Sequence, residues 1–253
     1  MSTPTDLAAD LTLALELAAR ADATALAEHA TGVRTETKAD GTPVTNVDLA
    51  VDRVLVDGLR AARPGDAILS EESGLHGDGP RGWILDPIDG TFNLVRGRRH
   101  WGTHVALEVD GVVVVGVITR PMLDARWWAT LGGGAYRSDA GGPARRLTVS
   151  TRGELAGAQI RLWNDDADHA TRIRGATVWA DADMNDILGV AEGSCDAVVG
   201  SPGEIWDHAP NQLLVEEAGG RFRDDQGGHR IDVGRAHYSN GVIDAALAEL
   251  LTG

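Results

Sequence analysis

The stretch that decides the fold is WILDPIDGT, residues 83–91. Its apolar start, Trp83-Ile84-Leu85, predicts a short buried strand that reaches the rim of a sheet at Asp86. The carboxylates of Asp86 and Asp89 have no lysine beside them, so they repel each other unless a cation lies between them. Gly90 and Thr91 follow where a helix can begin, and free backbone N–H groups there can hold a phosphate oxygen. The stretch therefore predicts a metal and phosphate site, unless Asp86 merely ends the strand and Asp89 caps the helix.

Outside this stretch the sequence predicts helices and strands that come in blocks rather than in strict alternation. Thr45 and Asp48 resemble a capping box at the start of a helix, and Asp110-Gly111 is typical of a hairpin turn between apolar runs. The predicted helices cover residues 7–30, 46–61, 185–192 and 209–218, with a last helix ending at 251. The predicted strands cover residues 105–118 as a hairpin, then 127–130, 134–136 and 196–199. This order favours an α+β fold, a layered αβαβα sandwich.

The length and composition predict one folded unit. With 253 residues, 43% of them apolar, the chain can bury a large core. No repeat or linker forces a boundary, so we expect a single domain over residues 1–253, with lobes of about 1–140 and 141–253. The single cysteine, Cys195, excludes an intramolecular disulfide and fits a reducing cytosol. Acidic residues interrupt the stretch 1–20, so we expect neither a signal peptide nor a membrane span, and we expect a cytoplasmic protein.

The formal charge of −15 restricts what the protein can bind. Nucleic acids and anionic membranes require clustered positive charge, so we expect neither as a partner. An acidic protein binds a small phosphate ester when divalent cations lie between its carboxylates and the phosphate. Arg96, Arg98 and Arg99 form a small basic cluster, which we interpret as a solvated or dimer-contacting loop rather than a second phosphate clamp.

Three further acidic segments each have a structural and a functional interpretation. Glu71-Glu72 follows the apolar run 67–69, and such a pair is typical of a solvated loop. Asp207, after Trp206, opens a helix and is a good N-cap. Asp48 belongs to the capping box. Each segment is modest evidence alone, but their joint occurrence with the Asp86 stretch indicates a carboxylate site.

Together these segments resemble the inositol monophosphatase superfamily of Mg²⁺-dependent, lithium-sensitive phosphatases. The matching blocks, in the family's order, are Lys38-Ala39-Asp40 with Thr42-Pro43-Val44-Thr45 and Asp48, then Glu71-Glu72, Asp86 to Thr91, and Trp206-Asp207 with Glu217-Ala218-Gly219-Gly220. They span most of the chain. The resemblance implies one catalytic domain with the five-layer αβαβα sandwich of the inositol monophosphatase and fructose-1,6-bisphosphatase type, and a homodimer.

The resemblance also implies roles for individual residues. Two or three Mg²⁺ ions would be bound by Glu71, Asp86, Asp89, Asp207, the Ile88 carbonyl and the Thr91 hydroxyl. Catalysis would depend on Glu71, Thr91 and Asp48, and the phosphate would bind to the backbone N–H groups of Gly90 and Thr91. Lys38 and Asp40 would lie on a mobile loop that closes over the metals, and Glu72 would support the outer shell. Oxygen ligands select hard cations, and closely spaced cations activate water without a covalent intermediate.

Substrate choice depends on residues outside the metal core. Inositol monophosphatases have a glutamate where this chain has Gly200, and small residues where it has Asp181 to Met184. A closer resemblance is to the histidinol-phosphatase branch found in actinobacteria, through Thr37-Lys38, Thr42-Pro43-Val44-Thr45, Val95-Arg96-Gly97, Trp127-Trp128-Ala129 and Val190-Ala191-Glu192-Gly193. This branch has an aspartate at the place of Asp183, where a carboxylate can meet the ammonium group of histidinol phosphate.

The predicted function is therefore hydrolysis of histidinol phosphate, with Asp89, Asp183 and Glu204 as substrate contacts and Glu204 replacing the carboxylate that is missing at Gly200. Two features depart from the histidinol-phosphatase branch and leave alternatives open. This branch also usually keeps the glutamate that is Gly200 here, and the stretch 160–177 of this chain looks shortened. The alternatives are inositol 1-phosphate, another amino or polyol phosphate from a specialised pathway, and, in a different class, a non-catalytic sugar-phosphate-binding protein.

Overall fold

The computed structural model describes residues 6–39, 41–163, 167–181, 183 and 185–252. The expected loop residue Asp40 lies outside these ranges. The described helices are α1 (Leu7–Thr31), α2 (Asn46–Ala62), α3 (Thr91–Val95), α4 (Ala167–Ala176), α5 (Asp186–Ala191), α6 (Ile205–Glu217) and α7 (Asp244–Thr252). The described strands are β1 (Thr35–Thr37), β2 (Pro43–Thr45), β3 (Ala67–Ser70), β4 (Gly74–His76), β5 (Arg81–Asp89), β6 (Gly102–Val109), β7 (Val112–Arg120), β8 (Ala125–Thr130), β9 (Gly134–Asp139), β10 (Arg145–Arg146), β11 (Gln159–Leu162), β12 (Val178–Asp181), β13 (Ala197–Pro202), β14 (Arg221–Asp224) and β15 (Arg235–Ser239).

The strands form two large sheets and one small hairpin. The first sheet has eight strands in the order β10-β9-β8-β7-β6-β5-β3-β4, and all its neighbours are antiparallel except β3 and β5. The second sheet has five strands in the order β12-β11-β13-β15-β14. Strands β1 and β2 pair with each other as a separate antiparallel hairpin.

Alternate residues of the first sheet point to opposite faces, so the sheet contributes to two separate cores. Trp83 and Leu85 pack with helices α1 and α2. Ile84 packs on the other face, in a core that also contains α5, α6 and part of the second sheet. The far face of the second sheet packs against α4 and α7 through residues such as Ile160 and Leu247. The layers therefore run helix, sheet, helix, sheet, helix, which confirms the predicted αβαβα sandwich.

Local signals in the sequence account for several of these elements. The capping box is confirmed, since Thr45 Oγ1 accepts a hydrogen bond from the Asp48 N–H at 3.4 Å and the Asp48 carboxylate accepts one from the Thr45 N–H at 3.0 Å. The predicted hairpin is also confirmed, because β6 and β7 pair across Asp110 and Gly111, whose φ angles of 51° and 80° suit a tight turn.

Other predictions need correction. Strand β5 does not stop at Asp86 but continues to Asp89. Helix α6 begins at Ile205 rather than at residue 209, and its N-cap is Glu204, so Asp207 is the third helical residue and not the cap. Strands β11, β12, β14 and β15 and helix α4 were not predicted. Strand β12 is exposed at all four positions and so lacks the apolar alternation that predicts a strand.

Candidate metal centre

Three aspartates and one histidine meet where the first sheet approaches helix α6. Each of Asp86, Asp89, His104 and Asp207 offers one ligand atom, and these four atoms all lie within 4.8 Å of one another. Asp86 and Asp89 come from β5, His104 comes from β6, and Asp207 comes from the first turn of α6. We call these four residues the acidic centre.

A bulge in β5 brings its two aspartates to one place. Residues three apart on a regular strand point to opposite faces of the sheet. Asp86 pairs with His104 and Asp89 pairs with Gly102, so β5 has one residue more than β6 between these pairs. The extra residue reverses the alternation, and both carboxylates reach the acidic centre.

Asp207 is held in position by the start of α6. One of its carboxylate oxygens, Oδ2, accepts the Glu204 N–H at 2.6 Å, as expected for a capping box. Gly203 leaves the necessary room, because a Cβ atom there would lie 2.8 Å from the Cβ of Asp207. The carboxylate therefore both stabilises the helix start and lies in the acidic centre.

The ionised carboxylates of the acidic centre repel one another, and their arrangement fits a metal ion. Burial raises the pKa of Asp86 well above its ordinary value, and the charges of Glu71, Asp89 and Asp207 raise it further. Burial also raises the pKa of Asp207 to about 8, with a contribution from the charge of Asp89. The Oδ1 atom of Asp86 is buried and has no hydrogen-bond partner within the described ranges. A divalent cation would relieve this repulsion and give Asp86 its missing partner.

Asp89 differs because the Arg120 cation and the His104 ring already contact it. Its Oδ2 lies 2.6 Å from Nη2 of Arg120 and 3.1 Å from Nε2 of His104. Burial alone would raise the pKa of Asp89, but His104 and Arg120 outweigh burial and lower this pKa to about 2. Asp89 is therefore an anion whether or not a metal is bound.

Glu71 and Glu72 follow β3, next to β5, and share a lysine. The Lys38 ammonium lies 2.8 Å from one oxygen of each glutamate. Burial raises the pKa of Glu72 to about 7, although Lys38 opposes the increase. For Lys38, burial lowers the pKa, but hydrogen bonds to the two glutamates outweigh burial and raise it. Glu71, which the resemblance implies is a metal ligand, thus contacts Lys38 and also lies close enough to Asp86 to raise the pKa of that group.

Thr91 opens α3 beside the acidic centre, and its hydroxyl is held by neighbouring residues. Oγ1 of Thr91 donates toward Oδ1 of Asp48 at 2.8 Å and toward the Ile88 carbonyl at 3.1 Å. Asp48 is fully buried, and burial raises its pKa while bonds from Thr45 and Thr91 oppose the increase. Gly90 precedes the helix with a φ of 85°, a left-handed conformation that suits glycine.

A cleft of about 570 Å³ opens at the acidic centre. Its lining includes Asp89, Gly90, Phe92, Arg96, Arg98, His100, His104, Trp163, Asp183 and Asp207. Arg96 and Arg98, which we interpreted as part of a solvated or dimer-contacting loop, are exposed and also line the cleft. Arg99 points elsewhere, since its Nε donates to the Met122 carbonyl at 3.1 Å.

The three predicted substrate contacts are placed differently. Asp89 and Asp183 both line the cleft. Asp183 is exposed, and its Oδ1 accepts the Asn185 N–H at 2.8 Å. Glu204 is exposed and is not part of the cleft lining, so the structure does not bring it to the other two.

Sequence reasoning missed His104 and Arg120. His104 has no ligand-type spacing to other residues, and its only signal is its register opposite Asp86. Arg120 lies at the end of β7, remote in sequence from Asp89. Both become recognisable only when the strands are paired.

The fold and the acidic centre are those of a metal-dependent phosphatase family. The chain matches the model of the inositol monophosphatase family over residues 6–252, and it belongs to this family. The predicted family is thereby confirmed. No helix in the described part of the chain is both long and apolar enough to cross a membrane.

Individual relatives carry several names. A Streptomyces griseus protein named glucose-1-phosphate thymidylyltransferase is 41% identical over 253 residues, which cover 98% of each chain. The histidinol-phosphatase of Mycobacterium tuberculosis is 40% identical over 256 aligned positions, covering 96% of this chain and 98% of that protein. Among solved structures, the extragenic suppressor protein suhB from Bartonella henselae has a TM-score of 0.84 and 27% identity, covering 96% of this chain and 98% of the other. The resemblance to actinobacterial histidinol-phosphatases and the predicted fold are both confirmed.

Proposed function

We propose that this protein is a Mg²⁺-dependent phosphomonoesterase that hydrolyses histidinol phosphate. The observation that carries the proposal is the acidic centre in the wall of a cleft that also exposes Asp183. Relatives named histidinol-phosphatase, from Mycobacterium tuberculosis and Streptomyces coelicolor, are 40% and 37% identical to this chain and support the substrate.

In this proposal Asp86, Asp89 and Asp207, with the Ile88 carbonyl, hold Mg²⁺. Bound cations of this kind supply Lewis-acid activation of water and stabilise the charge of the leaving oxygen. Glu71 joins the site when Lys38 moves away from it, since its charge is already close enough to raise the pKa of Asp86. The acidic chain then binds a phosphate ester without a cluster of basic residues.

The remaining residues of the proposed site position the reactants. Asp48 holds the Thr91 hydroxyl at 2.8 Å, so that its oxygen is oriented for the attacking water. Glu71 accepts the proton that this water loses. The backbone N–H groups of Gly90 and Thr91 bind the phosphate oxygens at the start of α3.

The position of Gly200 supports a substrate other than inositol phosphate. Gly200 is buried in β13 with a φ of 71°, where residues other than glycine are strained. A Cβ atom there would lie 3.4 Å from Nη1 of Arg235. A hydroxyl-binding glutamate does not fit this backbone without adjustment, which argues against inositol phosphate but departs equally from the histidinol-phosphatase branch. The preference for an amino-bearing phosphate therefore rests on the Asp183 carboxylate, which offers a partner for an ammonium group.

Phosphate release from purified protein tests the proposal. With Mg²⁺, histidinol phosphate should have a higher kcat/KM than inositol 1-phosphate or glucose 1-phosphate, and a chelator should abolish turnover. A preference for inositol 1-phosphate would retain the phosphatase and reject the substrate. Transfer from dTTP to glucose 1-phosphate, without phosphate release from any ester, would instead favour the activity in the name of the Streptomyces griseus relative.

A further inference from the structure

Arg120 places a permanent positive charge inside the acidic centre. Its Nη2 lies 2.6 Å from Oδ2 of Asp89, and its Nη1 and Nη2 lie 3.4 Å and 3.5 Å from Nε2 of His104. Arg120 is only 1% exposed. The guanidinium group thus borders the same Asp89 oxygen and His104 nitrogen that a metal ion between these two residues would use.

The guanidinium group is held firmly in this position. Its Nη1 donates to the Thr119 carbonyl at 3.0 Å, and its Nε donates to Oδ1 of Asn185 at 3.2 Å. Lys38, the other cation beside the acidic residues, lies in the β1–β2 connection with a side chain that is 19% exposed. A lysine on a hairpin can swing away from its carboxylates. A buried arginine with partners on β5, on β6 and at the start of α5 remains in place, and it stays charged.

We propose that Arg120 is a built-in counter-cation that replaces a metal ion at Asp89 Oδ2 and His104 Nε2. A divalent ion there would meet an immobile positive charge at contact distance, so repulsion excludes it. The described contacts of Asp89 all fall on Oδ2, which leaves the other oxygen for a metal shared with Asp86 and Asp207. His104 is then not a ligand, and the site retains the oxygen-only donors that suit Mg²⁺ rather than transition metals. This inference rests on the metal site of the proposed function.

Mn²⁺ binding tests the inference without measuring turnover. Equilibrium dialysis counts the tightly bound ions, and pulsed EPR detects an imidazole nitrogen bound directly to Mn²⁺. Wild-type protein should bind Mn²⁺ without ¹⁴N coupling. Arg120→Met should bind one more ion per chain with ¹⁴N coupling, and this coupling should disappear in the double variant Arg120→Met/His104→Gln.

Two control variants separate charge from folding. Arg120→Lys keeps the charge and should retain the wild-type ion count, while Arg99→Met removes an exposed arginine and should also retain it. Direct ¹⁴N coupling in wild-type protein, or an unchanged count in folded Arg120→Met, would overturn the inference. If Arg120→Met does not fold, the wild-type spectrum and the Arg120→Lys count still decide. If wild-type protein binds no Mn²⁺ at all, both the inference about Arg120 and the proposed metal site are wrong. If wild-type protein binds Mn²⁺ with ¹⁴N coupling, the inference is wrong but the proposed metal site stands.

Discussion

Mg²⁺ binding should release protons, because Asp207 holds a proton at neutral pH in the metal-free protein. Burial, with the charge of Asp89, raises the pKa of Asp207 to about 8, and a carboxylate must lose its proton to bind a metal. A group with this pKa is roughly nine-tenths protonated at pH 7. The apparent Mg²⁺ association constant should therefore be about tenfold lower at pH 7 than at pH 9, and about a hundredfold lower at pH 6. Asp86, whose pKa is also raised, adds to this dependence.

Calorimetric titration with Mg²⁺ between pH 6 and pH 9 measures this effect. Repeating each titration in two buffers of different ionisation enthalpy counts the protons released, and we expect about one or more at pH 7 and fewer above pH 8. The matched control is Asp207→Asn, whose side chain cannot titrate but can still accept the Glu204 N–H and so preserves the start of α6. The variant should bind Mg²⁺ more weakly with a flatter pH profile, and it should lose about 100-fold or more in rate. Equal wild-type affinity at pH 6 and pH 9, without proton release, would refute the reasoning.

Three further predictions follow from the same charges. Asp86 and Asp207 have raised pKa values in the fold, so the folded metal-free protein binds more protons than the unfolded chain. Its melting temperature should therefore fall as pH rises from 3.8 to about 8. Mg²⁺ should remove this fall, and a flat melting profile of the metal-free protein would contradict the prediction. Asp89→Asn should abolish turnover and reduce the stabilisation by Mg²⁺. It should also lower the free energy of unfolding, measured by urea denaturation, by about 3 kcal/mol because Arg120 stays buried without its anion. An unchanged free energy of unfolding would mean that other groups compensate the charge of Arg120. Asp183→Asn should raise KM for histidinol phosphate roughly 10- to 100-fold more than KM for an aryl phosphate, and equal increases would assign Asp183 to the fold.

Much of the first sheet and its helices could be predicted because their signals are local. The start of α2 depends on Thr45 and Asp48, which are three residues apart, and the β6–β7 turn depends on Asp110-Gly111. Both signals act through bonds and dihedral angles within a few residues, so they can be read without knowing the rest of the fold. The second sheet was largely missed because its strands are short, and β12 has no buried position.

The sequence by itself determined which acidic residues to consider, and the resemblance of their motifs determined the family. Only the tertiary structure decided how these residues share charge. The β5 bulge aligns Asp86 with Asp89, the pairing of β5 with β6 adds His104, and Arg120 reaches Asp89 from the end of β7. The Lys38 contact likewise gives Glu71, which borders Asp86, a cationic partner of its own. Electrostatic interactions depend on distance and burial rather than on sequence separation, so a charge that is 31 residues away along the chain became the direct partner of a predicted metal ligand.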